Sequence, residues 1–168
     1  MRPDRTEAAD YYFRYIDQVP GTDIRGVLDT QRGETITLLR GIPEEKSLHR
    51  YAPEKWSIRE VMGHVNDTER LFAFRALWFA RNCEGALPSF DQDPAVAAAA
   101  SDRVSWKGLV EEFAAVRAAT ITLFENLPVD AWSRRGVASG YEFSVRALAF
   151  ISAGHVAHHL RILRERYL

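Results

Sequence analysis

A single cysteine, Cys83, leaves the chain without an internal disulfide, and nothing nearby marks it as an activated thiol. No apolar run approaches the roughly 20 residues that a membrane-spanning helix needs. The amino end, MRPDRTEAADYYFRY, lacks the apolar segment of a secretory signal. Neither membrane insertion nor export is therefore expected, and the cytoplasm is the expected compartment. Charge of neither sign dominates: the formal net charge is −1 and the basic residues are dispersed, which gives no electrostatic footprint for nucleic acid. The arginine-rich end, RILRERYL, reads as a solvated final turn whose cations suit a helix C-terminus. Internal repeats and low-complexity tracts are also missing.

What is present suits one globular domain over residues 1–168. Hydrophobic residues make up 46% and charged residues 27% of a chain long enough to bury a real core. Residues 11–19 read as a short aromatic helical turn ahead of Pro20-Gly21, within an N-terminal extension over 8–19. A helix over 23–40, with Thr22 as its cap, carries Ile24, Val27, Leu28, Leu38 and Leu39 at helical spacing. Gln31 and Thr35 interrupt that face, either hydrogen-bonded in the core or turned outward. A second helix begins sharply at Ser57: Ser57 and Glu60 have capping-box spacing, and Trp56 and Val61 stand at the positions of a hydrophobic staple. It runs to about residue 82.

Residues 84–94 break the periodicity and read as a long loop, followed by an alanine run over 95–100 that is a short helix or an extension of the next one. A third long helix covers about 105–126, with Pro128 closing it, and supplies no histidine. Residues 132–141 form a glycine-punctuated connection, extended in part. Ser144 then caps a last helix reaching residue 168. Four long amphipathic helices without convincing strands argue for a four-helix bundle. Long connections mean that successive helices need not be antiparallel neighbours.

The last helix holds three of the five histidines within five residues. Residues four apart on a helix lie almost above one another, so His155 and His159 share a face, and His155 and His158 do so less well. With 100° per residue, the apolar stripe centres about 50° from His155; His159 falls near that centre and His158 about 60° to the other side, toward solvent. Two imidazoles on a buried stripe need a partner: a metal ion, or carbonyls and carboxylates in the core. On the second helix His64 lies on the inward face with Val61, Phe72, Phe79 and Thr68. Arg75 lies near the same line about 16 Å further along, too far to meet an ion with His64, and suits an edge position, a buried carboxylate or a substrate anion. Asp67, one turn from His64, stands as an acceptor for an imidazole N–H or faces water.

The segments WSIREVMGH (56–64), Asp67-Thr68-Glu69-Arg70 with Arg75, and GHVAHH (154–159) together resemble the DinB superfamily of DinB/YfiT-like metalloenzymes. The segment LPSFDQD (87–93) is similar to the linker of the same branch. The resemblance covers about residues 23–167. It implies an all-α, up-down-down-up four-helix bundle that often forms a homodimer. It also implies a divalent metal ion held by one histidine of the second helix and two of the fourth, which map onto His64, His155 and His159; the GHxxHH form leaves His158 in place of His159 open, and only the helical period chooses.

Three neutral imidazoles suit zinc or nickel, with iron or copper as further options, and leave coordination positions free. Such an ion lowers the pKa of a bound water or thiol. The leading expectation is thus a metal-dependent enzyme of the thiol-dependent transferase type, whose partners are a low-molecular-weight thiol and a small-molecule substrate. A metal-dependent hydrolase and a non-catalytic metal- or ligand-binding module are the alternatives, with a purely structural bundle last. No carboxylate accompanies the histidines in sequence as in HExxH, which counts against the hydrolase more than the thiol enzyme.

Overall fold

The computed structural model describes residues 2–168. Six α-helices carry the fold: α1 (Asp10–Ile16), α2 (Ile24–Arg40), α3 (Ile58–Ala80), α4 (Gln92–Ala99), α5 (Trp106–Glu125) and α6 (Val145–Ile162). A two-stranded antiparallel hairpin, β1 (Arg135–Ala138) and β2 (Tyr141–Ser144), fills the connection expected to be partly extended. No helix among the described residues is long and apolar enough to cross a membrane.

Local chemistry sets the helix starts. Ser57 accepts from the backbone N–H of Glu60 at 3.0 Å, and the Glu60 carboxylate accepts from the N–H of Ser57 at 2.8 Å, which completes the capping box. The Ser144 hydroxyl caps α6 through the N–H of Ala147 at 2.9 Å. At α2 the cap is Asp23 rather than Thr22: the Asp23 carboxylate accepts from the N–H of Gly26 at 3.3 Å. The alanine run starts its helix earlier than expected, because Asp91 caps α4 and brings Gln92, Asp93 and Pro94 into its first turn. Helix α6 ends at Ile162, and Leu163–Tyr167 continues it as one wider π-helical turn. That turn lets the Tyr167 hydroxyl donate to the carbonyl of Trp56 at 2.8 Å.

Hydrogen bonds between helices define how the bundle is threaded. Asn66 and Glu69 of α3 meet Leu109 and Arg117 of α5 in the same order, so α3 and α5 run parallel. Gln31 meets Arg117 while the carbonyl of Leu39 meets the Trp106 indole, so α2 and α5 run antiparallel. Tyr167, just past α6, reaches Trp56, just before α3, and that pair is antiparallel too. The result is up-down-down-up. Around the bundle the order is α2, α5, α3, α6, so the helix pairs joined directly in sequence, α2 to α3 and α5 to α6, sit on diagonals. Diagonal helices cannot be linked by a tight turn, which is why the connections are long.

Two apolar clusters fill the bundle. One gathers Phe72, Phe79, Phe124, Phe143 and Phe150 with α1; the other gathers Ile58, Met62, Trp106, Phe113, Val156 and Leu160. Helix α1 seats itself on α6 beside Gly154, where a Cβ would run into the backbone of Tyr15. Gly63 plays the same part on α3, where a Cβ would run into the Ser101 side chain. In both glycine-histidine pairs of the sequence, the glycine admits a covering segment next to the histidine.

Candidate metal centre

Helix α3 contributes His64 and helix α6 contributes His155 and His159, on faces turned toward each other. His64 Nε2 and His155 Nε2 lie 3.1 Å apart, as do His159 Nε2 and His155 Nε2. All three ligand atoms fall within 4.8 Å of one another. Nitrogens bound at 2.0–2.1 Å to one ion at tetrahedral or octahedral angles lie about 2.9–3.4 Å apart, so the observed spacing suits a shared cation. His158 is not in this group. Its ring packs edge-on against Tyr15, with centroids 5.4 Å apart, and its Nδ1 faces the Arg161 guanidinium at 3.4 Å. Helical phase has separated two neighbours in sequence.

Protonation follows from burial. Burial pushes His64 down to about 4, with Asp93 opposing slightly, and pushes His159 down to about 3, helped by its cationic and histidine neighbours. His155 is lowered well below its ordinary value, first by burial and then by His159 and His64. All three are therefore neutral at pH 7, each with a lone pair to give.

Thr68 decides where that lone pair is on His155. Its hydroxyl donates to the carbonyl of His64 at 2.7 Å, which leaves its oxygen to accept from His155 Nδ1 at 3.3 Å. With the proton on Nδ1, the Nε2 lone pair of His155 points at the other two rings. His64 has no such support, since its Nδ1 is buried without a partner. Three nitrogens facing each other cannot all be hydrogen-bonded, because a single lone pair on His155 Nε2 would have to serve two donors. A cation satisfies all three at once, and the donor set fits a divalent ion of borderline softness.

The surroundings decide two points that the sequence left open. Asp67 does not reach an imidazole; its nearest charge is Arg70 at 3.7 Å, and Thr68 takes the supporting role instead. Thr68 was legible as the inward residue one turn after His64. The second point concerns carboxylates. A cavity of about 230 Å³ opens on His64 and His155, and another of about 290 Å³ opens on His159. Gln92 lines the first and Asp93 the second, so the first turn of α4 is shared between them. Asp93 thus stands near the histidines although it is far from them in sequence, and no local signal announced it.

Rings enclose the group. Trp56 packs on His64 with centroids 5.1 Å apart, and Tyr15 and Phe72 pack edge-on against His155 at 5.4 and 5.7 Å. The exposed Cys83 takes no part.

No curated protein matches the chain. Among solved structures, one similar protein is YfiT from Bacillus subtilis, described as "a probable metal-dependent hydrolase with an unusual four-helix bundle topology". It is 13% identical, superposes with a TM-score of 0.66, and the match covers 98% of this chain and 92% of that one. At this identity the likeness is one of fold. The profile of the DinB superfamily matches residues 28–163, a span holding all three converging histidines. The chain belongs to the DinB superfamily.

Proposed function

We propose that the protein is a metal-dependent enzyme in which His64, His155 and His159 hold a divalent ion through Nε2, and that it activates a thiol or water nucleophile. The observation that carries this reading is the convergence of three neutral imidazole nitrogens with no other partner for their lone pairs. When bound, the ion supplies Lewis acidity that lowers the pKa of a coordinated thiol or water. The protein's own residues do the rest. Thr68 holds the His155 tautomer, Trp56, Tyr15 and Phe72 limit water around the rings, and Asp93, which lines the cavity reaching His159, would accept the nucleophile's proton.

Two cavities reaching one trio of histidines favour a two-substrate reaction, in which a low-molecular-weight thiol occupies one side and a small electrophile the other. This is the transferase reading. Asp93 supports a second reading, hydrolysis, because it provides the base that water activation requires and that a thiolate needs less; the description of YfiT agrees with it. Zinc and nickel suit three imidazoles best, with iron and copper as alternatives. Self-association belongs to the same proposal: Phe74 and Leu77 stand exposed on the outer face of α3, an apolar strip suited to a second copy.

Elemental analysis of the untagged native protein beside a His155→Ala/His159→Ala variant tests the centre. Near-stoichiometric metal in the first and none in the second is expected. Metal-dependent loss of a thiol against an electrophile then supports the transferase, and metal-dependent ester cleavage without thiol supports the hydrolase. A native protein that takes up no metal removes both.

A further inference from the structure

Three arginines are buried among the described residues, and two of them have carboxylate partners. Arg59 pairs with Glu44, and Arg117 pairs with Glu69 at 2.7 Å. Arg75 is only 2% exposed and has none. Its Nη2 donates to the carbonyl of Pro88 at 3.1 Å and to the Ser139 hydroxyl at 2.8 Å, both uncharged acceptors. Its Nε is buried with no partner at all. A guanidinium taken out of water without an anion costs stability that a leucine at the same place would not.

Its position supplies the reason. Arg75 lines the same cavity of about 230 Å³ as His64 and His155. It follows His64 by eleven residues on α3, about 16 Å of helix rise, and helical side chains lean toward the N-terminus, back toward the histidines. Between the two ends the wall is aromatic, with Tyr11, Tyr12, Tyr15, Phe72 and Phe90. The one carboxylate on this lining, Asp91, caps α4 by accepting from the N–H of Asp93 and makes no ion pair with Arg75.

We propose that Arg75 binds the carboxylate of a small aromatic or otherwise planar organic acid, whose other end faces His64 and His155. This names the substrate class for the centre described above and rests on that reading. The cavity is smaller than the roughly 300–1,000 Å³ of sites for drug-sized ligands, which limits the acid to about one ring. With both Nη2 protons already used on Pro88 and Ser139 and Nε buried, neither two-nitrogen fork of the guanidinium is free, so an oxygen of the carboxylate would accept from Nη1. The Tyr12 hydroxyl, the one group that favours the charge on Arg75, sits on the same wall.

Calorimetric titration of the native protein with benzoate and with its neutral isostere benzamide tests this, with metal content measured on the same samples. Benzoate is expected to bind at least tenfold tighter than benzamide. Arg75→Gln is expected to lose at least tenfold in benzoate affinity while keeping its full metal content, and Arg75→Lys to recover part of that loss. Equal binding of the two probes, no binding of benzoate, or unchanged benzoate affinity in Arg75→Gln overturns the proposal. The comparison of probes needs no variant, so it stands even where a substitution unfolds the chain. Arg75-dependent benzoate binding in a protein that takes up no metal would overturn the metal centre and leave the acid site.

Discussion

Two of the polar groups buried in this bundle, the Arg117 network and the histidine trio, are built on opposite terms. Between α2, α3, α5 and α6, Arg117 donates through Nε and Nη2 to the two oxygens of Glu69 at 2.7 and 3.0 Å, and through Nη1 to Gln31 at 2.7 Å. Gln31 in turn donates to the carbonyl of Ala153 at 2.9 Å. Each of these strong donors meets an acceptor, and the charges cancel. The histidine trio between α3 and α6 instead turns lone pairs toward one another and leaves His64 Nδ1 unpaired. A closed network needs nothing further and serves the fold; an open one stays costly until something enters it.

Breaking the closed network should have the largest effect. Arg117→Met alone leaves Glu69 charged and buried, and should cost about 3–5 kcal/mol of unfolding free energy with metal binding intact. Urea denaturation measures it, and the double variant Glu69→Leu/Arg117→Met should recover most of the loss. Conversely, the open group should gain from its ligand. Metal at a hundredfold excess over its dissociation constant should stabilise the native protein by about 2.7 kcal/mol, and should not stabilise His155→Ala. Thermal unfolding with and without added zinc reads the difference.

A subtler change separates orientation from ligation. Thr68→Val removes the oxygen that accepts from His155 Nδ1 while keeping shape, and should weaken metal affinity about 10- to 100-fold without abolishing it. Competition with a chromophoric chelator gives the ratio. The smallest effect is the slope with pH of the metal-free protein. The unfolded chain takes up protons near pH 6.5, while folded His64 and His159 remain neutral down to about 4 and 3 because they are buried. Unfolding is therefore favoured as pH falls below 6.5, by up to about 1.4 kcal/mol per unit for each such histidine. Denaturant midpoints between pH 6.5 and 5.5 should drop in the native protein and drop less in His64→Ala.

The contrast also sorts what could be read in advance. The capping box at Ser57 and Glu60, the cap at Ser144, and the inward phase of His64, His155 and His159 all depend on residues within a few positions of one another. Gln31 was recognisable as an interruption of an apolar face, yet its partners lie 86 and 122 residues away, so whether it turned inward was not. The cap at α2 was misplaced by one residue because Thr22 and Asp23 are both good caps and side by side. Asp67 suited either the imidazole's acceptor or a water-facing residue; it is the half-exposed partner of Arg70, and Thr68, better phased toward the histidines, is the residue beside His155 Nδ1.

Helical phase is a property of the backbone, repeating every 3.6 residues whatever surrounds it, and so the sequence by itself determined the helices, the inward histidines and the separation of His158 from His159. Only the tertiary structure decided that α3 and α6 are neighbours, that the first turn of α4 brings Asp93 to the histidines, and that Arg75 is buried without a carboxylate. These outcomes depend on where long connections cross the bundle, and that path is chosen by packing between surfaces distant in the chain, for which no local pattern exists.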